Sequence, residues 1–135
     1  MMKLQFLGAY KNFGLLIIRL GLGLSFIMHG YPNMFGGPPV WKDLGTVMRT
    51  VGIDFAPTLW GFMAAFAEFG GGVLVILGFY FRPAVLLMTV TMAMALNMHL
   101  SKGDPFRVYS HAMELGIVFV SLLFVGPGKF SIDGE

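Results

Sequence analysis

Four long apolar runs constrain this chain more than any other feature of its sequence. They fall at about residues 13–30, 58–79, 83–100 and 108–125. A hydrocarbon layer ~30 Å thick takes about 20 residues of α-helix at ~1.5 Å per residue, so each run is of spanning length. The connections carry helix breakers. Pro32, Gly36, Gly37, Pro38 and Pro39 follow the first run, and Tyr80, Phe81 and Arg82 follow the second, with Pro83 placed in the first turn of the third. Ser101-Lys102-Gly103-Asp104-Pro105 follows the third run, and Gly126-Pro127-Gly128 closes the fourth. The expected fold class is all-α, an integral membrane four-helix bundle with short loops, forming a single transmembrane domain over residues 1–135. Between the first two spans, Val40–Phe55 sets Trp41, Lys42, Asp43, Arg49 and Asp54 among apolar residues. That pattern predicts a short amphipathic helix lying in the interface, anchored by Trp41.

Charged residues make up 12% of the chain, about half of what a soluble domain needs to cover its surface. A net charge of +2 spread over short loops suits anionic lipid headgroups and gives no electrostatic footprint for nucleic acid. The chain has no cysteine, which removes disulfides, thiolate metal sites, iron–sulfur clusters and thiol chemistry. Its 11 methionines read as packing and lipid-facing residues. Lys3 and Lys11 precede the first run as in a signal peptide, but Arg19 interrupts that run and no small-residue cleavage site follows His29. The segment is therefore expected to be retained as a first helix. Four spans place both ends on one side, and Lys3 and Lys11 favour the cytoplasmic side.

Six ionisable side chains fall inside the spans: Arg19, His29, Glu68, His99, His111 and Glu114. A charged group at mid-bilayer costs about 2.5–3.5 kcal/mol or more, so these residues are expected to face the bundle interior and to pair. Helical rise puts Arg19 roughly 9 Å and Glu68 roughly 16 Å above the terminal side of the membrane. An Arg19–Glu68 ion pair is the natural expectation, serving as structural glue or proton relay. Small residues from Gly61 to Gly72 let a neighbour approach closely around Glu68. His29 and His99 come out at nearly equal depth, roughly 24–25 Å up, with Glu114 slightly lower and His111 one turn nearer the surface. A catalytic cluster of His29, His99, His111 and Glu114 follows if these faces converge.

Such a cluster permits several chemistries. Histidine titrates near neutral pH and carboxylates relay protons, so the group could exchange protons with a quinone, held by His29 and His99. It could also ligate a divalent transition metal, or a haem through the two equal-depth histidines. The plainer reading is that His29 and His111 sit at headgroup level and serve helix ends.

These residues resemble a known pattern. Arg19, the His29-Gly30…Phe35-Gly36-Gly37 turn, Ala67-Glu68…Gly71-Gly72, Arg82 and the closing Gly126-Pro127-Gly128-Lys129-Phe130-Ser131-Ile132-Asp133 together resemble the DoxX family across nearly the whole chain. The resemblance implies a multi-pass protein of a bacterial or archaeal cell membrane. It also implies a role linked to quinone oxidoreductases, with electrons handled by an oxidoreductase partner. Where family members often carry a lysine after His-Gly, this chain has Asn33, which weakens any expectation of an anionic substrate such as thiosulfate. Two further readings stay open: a non-enzymatic membrane scaffold or assembly factor, and a small transporter that would need a homo-oligomer.

Overall fold

The computed structural model describes residues 3–134. Its elements are all helical: α1 (Lys11–Met34), α2 (Pro38–Gly45), α3 (Pro57–Leu77), α4 (Phe81–Ser101) and α5 (Phe106–Val125). Two 3-10 segments, Gln5–Tyr10 and Thr46–Val51, precede α1 and follow α2. The helices α1, α3, α4 and α5 are long and apolar enough to cross a membrane. Large apolar side chains on their outer faces are open to the surroundings, with Phe124 82% and Met28 68% exposed. Lipid accounts for that surface where water would not.

The spanning helices form an open arc rather than a closed ring. Backbone neighbours run α1 to α3, α3 to α4 and α4 to α5. Among the described residues no Cα of α1 comes within 8 Å of a Cα of α5. The core fills the inside of the arc with Phe26, Val75, Phe81, Val85, Met88 and Phe119. Phe26 and Phe119 meet edge to face, their centroids 5.2 Å apart, and so bridge the gap between α1 and α5.

Glycine decides how closely two of these seams approach. A Cβ on Gly23 would lie 2.8 Å from the carbonyl oxygen of Gly72, and one on Gly72 would lie 2.7 Å from that of Gly23. The α1–α3 crossing therefore admits no side chain on either backbone there, as in other small-residue seams between membrane helices. Helix α2 lies as tightly on the start of α3, where a Cβ on Gly61 would overlap the backbone of Trp41. The Trp41 indole N–H donates to the carbonyl oxygens of Asn33 at 3.0 Å and Met34 at 3.3 Å. Trp41 thus supplies a partner to the open carbonyls at the end of α1, in addition to any anchoring role. That support sits where α1 continues through Pro32 to Met34, beyond the end of the first run expected near residue 30. So near the C-terminus the proline removes only one ladder bond, which the helix tolerates.

Arg19 and Glu68 do not form the ion pair expected from their depths. Side chains on an α-helix lean toward its N-terminus. Helix α1 ascends from the terminal side and α3 descends, so Arg19 leans down and Glu68 leans up, away from each other. The Arg19 side chain is 2% exposed, and its guanidinium is held by backbone oxygens. Nε donates to Val75 at 3.0 Å and Nη2 to Ile76 at 2.6 Å. Nη1 donates to Phe130 at 2.6 Å and, more weakly, to Pro127 at 3.4 Å. Val75 and Ile76 belong to the last turn of α3, at the negative end of the helix dipole, where the Val75 carbonyl also accepts from the capping Gly78 N–H at 3.2 Å.

The tail completes this knot. The backbone N–H groups of Ile132 and Asp133 donate to the carbonyls of Leu77 at 3.1 Å and Gly78 at 2.9 Å. The Asp133 carboxylate accepts from the N–H groups of Tyr80 at 3.2 Å and Phe81 at 2.9 Å, at the start of α4. Lys129 N–H donates to the Asn12 side-chain oxygen at 3.0 Å. Arg82 Nε donates to the Leu123 carbonyl at 2.9 Å, tying α4 to the end of α5. Four helix ends are thereby joined at one level.

Two stability outcomes follow. Replacing Arg19 with Met should lower resistance to denaturation in mixed micelles, followed by tryptophan fluorescence, by about 3–5 kcal/mol. Arg19→Lys should recover only part of that loss, because a point charge cannot engage carbonyls from two segments as a planar fork does. Asp133→Ala removes a carboxylate from the N–H groups at the start of α4 and should lose about 1 kcal/mol in the same assay.

Candidate functional site

The arc leaves a cleft where α1 and α5 stand apart, toward the end of the bundle opposite the tail. Its volume is about 280 Å³. Helix α1 contributes Ser25, Phe26, His29 and Asn33, and α3 contributes Glu68. From α4 come Met92, Ala95 and His99, and from α5 come Val108, His111, Ala112 and Leu115. A larger depression of about 570 Å³ lies over Trp41, Ala56, Thr58, Leu59 and Phe62, but no lining residue there is ionisable. Apart from Arg19 and the carbonyls that hold it, the polar chemistry of the interior is concentrated in the cleft.

The structure brings His29, His99 and His111 to one cavity from three helices. Sequence reasoning places Glu114 with them, but the cleft carboxylate is Glu68, and Glu114 is exposed on the outer surface of α5. The cause is angular. Leu115, Val108 and Ala112 face the cleft, and each step along a helix turns the side chain by about 100°, which carries Glu114 around the edge. Sharing a helix face with His111 is not enough, because His111 itself stands at the rim, both lining the cleft and exposed. Glu68 enters the cleft because it leans up from mid-height, where the Asn33 carboxamide and the His29 imidazole stand beside its carboxylate.

Two residues of the site are visible only in the structure. Asn33 follows His29 by one helical turn and so lines the same wall. That spacing is in the sequence, but the proline between the two suggests a chain that has left the helix. Asp104 lies in the turn after α4. Its carboxylate accepts a hydrogen bond from Nδ1–H of His99 at 2.7 Å, with the two side chains 26% and 29% exposed. An acceptor at Nδ1 selects the tautomer that leaves Nε2 as the ring nitrogen available to the cleft. Asp104 therefore links a cleft residue to the loop surface through one imidazole.

Among the described residues, no group of three or more His, Cys, Asp or Glu side chains is placed to hold a metal ion. The three histidines share a cavity without forming a ligand set. What the arrangement offers instead is hydrogen bonding and proton transfer: three imidazoles, one carboxylate, one carboxamide and the Ser25 hydroxyl on walls otherwise made of Phe26, Met92, Ala95, Val108, Ala112 and Leu115.

Comparison with known proteins agrees with this architecture. The chain is 31% identical over 136 residues to the inner membrane protein YphA of Escherichia coli, covering 93% of this chain and 92% of that protein. It is 25% identical to the inner membrane protein YqjF of the same organism, covering 91% and 92%. An uncharacterized protein of Haemophilus influenzae is 26% identical, covering 93% and 92%. No solved structure matches. The family model for DoxX matches residues 14–101, which include α3, α4 and nearly all of α1. This multi-pass membrane protein belongs to the DoxX family.

Proposed function

We propose that the chain is a membrane redox subunit that takes a quinone or quinol headgroup into the cleft and works with an oxidoreductase partner. The observation that carries this reading is the meeting of three histidines and Glu68 in one small cavity between two helices whose backbones stand apart. A gap between spanning helices opens sideways to lipid, the phase in which a quinone travels. The volume lies near the small end of ligand sites, roughly 300–1,000 Å³, and suits a single ring better than a haem macrocycle.

A bound quinone supplies two-electron chemistry, taking up two protons as it is reduced and releasing two when oxidised. The residues of this chain handle the protons. His99, oriented by Asp104, offers Nε2 to one ring oxygen and has the loop surface behind it for exchange. Glu68, which lines the cleft from α3 together with His29 and Asn33 of α1, exchanges the second proton. His111 at the rim hydrogen-bonds a headgroup as it enters. With no cysteine in the chain, electrons come from a partner protein or a soluble donor.

Binding of decylubiquinone to the protein in nanodiscs, read against empty nanodiscs, tests the proposal. Saturable binding is expected. His99→Ala and Glu68→Leu should each weaken it about tenfold, the loss of one hydrogen bond to an ionisable group. Asp104→Asn should weaken it less, by a few-fold, because His99 stays in place but loses its preferred tautomer. Partitioning that does not saturate, and does not differ among these variants, would remove the quinone reading and leave a scaffold role.

A further inference from the structure

Glu114 sits eight residues into α5, about 12 Å below the start of the helix, yet it is exposed on the outer surface. A carboxylate at that depth facing hydrocarbon is costly, and such groups almost always meet another polar group. The surface around it has a pattern. Arg107, His111, Glu114, Val118, Ser121 and Val125 are all exposed and follow one another at intervals of four, three, four, three and four. That is the spacing of a heptad seam, the geometry by which spanning helices pack at about +20°. The neighbouring exposed strip of α5 carries Phe106, Ile117, Val120 and Phe124. Bulky apolar groups face one direction, while the exposed polar and basic groups keep to the seam.

From this we infer that α5 packs against α5 of a second copy of the chain, in parallel, about a two-fold axis along the membrane normal. A second copy is favoured because the seam complements itself: it carries an acid, Glu114, and one turn away a base, His111. An isologous interface requires this, since each residue then meets the other's counterpart. In a parallel pair the two residues differ in depth by three residues of helical rise, about 4.5 Å, a step within the reach of the longer Glu114 side chain. The flank of α1 beside the seam accommodates the approach. Gly21 and Ser25 are exposed there, and a Cβ at Gly14 or Gly21 would meet nothing within 4 Å.

The pairing also bears on the cleft. His111 lines it, so Glu114 from the second copy stands at its rim. The cluster of three histidines and Glu114 is then completed across the two-fold axis rather than within one chain. The interface rests on the exposure and spacing of α5 and stands apart from any reading of what the cleft binds.

The chain has no native cysteine, so single cysteines test this cleanly in the full-length protein in native membranes. Val118→Cys lies on the seam, and Ile117→Cys lies at the same depth on the apolar strip. Under copper-phenanthroline oxidation, Val118→Cys should give a disulfide-linked dimer and Ile117→Cys should stay monomeric. Adding Glu114→Leu to Val118→Cys should cut the dimer yield about tenfold, reflecting two symmetry-related interhelical bonds. Equal cross-linking at the two positions, no dimer at Val118, cross-linking to a different protein, or indifference to Glu114→Leu would each overturn the inference. None of these readouts involves a quinone, so the interface and the cleft chemistry stand or fall separately.

Discussion

The hydrogen bonding of one buried guanidinium organises this bundle. Arg19 is a fixed charge taken out of solvent, and it is stable there because backbone carbonyls accept from each of its three nitrogens. The last turn of α3 offers two and the tail offers two more. Neither group is well placed without the other, because an unpaired guanidinium and unpaired carbonyls are each penalised in a low-dielectric interior. The match also explains the polar sequence after α5. Pro127, Phe130, Ile132 and Asp133 fold back across the end of the bundle and are bonded to α1, α3 and the start of α4. The segment is an integral part of the fold.

Because Arg19 is satisfied at the lower end, Glu68 is released for the upper end. The two residues lie at depths where a pair could form, and only the direction of their side chains prevents it. On antiparallel neighbours, side chains that lean toward their own N-termini diverge when the lower residue is on the ascending helix. That rule separates a structural charge from one facing the cleft. It also sends the His99 side chain down into the cavity from α4, while Glu68 comes up from α3 to meet it.

The sequence states the spans plainly, since four apolar runs separated by breakers leave little choice in a bilayer. The short helix near Trp41 is equally legible from its mixed polarity. Convergence of the three histidines can be read as depth alone, and depth proves sufficient for them. It fails for Glu114 because depth says nothing about rotation, and about 100° decides between cleft and outer surface. It fails for Arg19 because backbone carbonyls leave no mark in a list of side chains. Asp104 is hidden for a different reason: it sits in a turn, where a charged residue is ordinary, and only the fold of that turn brings it to His99.

The open arc has a mechanical side. Helices α1, α2 and α3 pack as one unit and α4 packs on α5, with α3 against α4 as the line between them. Arg19 and the tail fasten the bundle at its lower end, while α1 and α5 stand apart at the cleft. The molecule is therefore a lever with its pivot at one membrane surface and its jaws near the other. A change of tilt of about 5° between the two units, over a span of about 30 Å, moves the far end by about 2.6 Å and the pivot hardly at all. The jaw width is thus sensitive to anything that tilts spanning helices, including the thickness of the surrounding bilayer. The same lipid that would deliver a ligand to the cleft would also set how wide it stands.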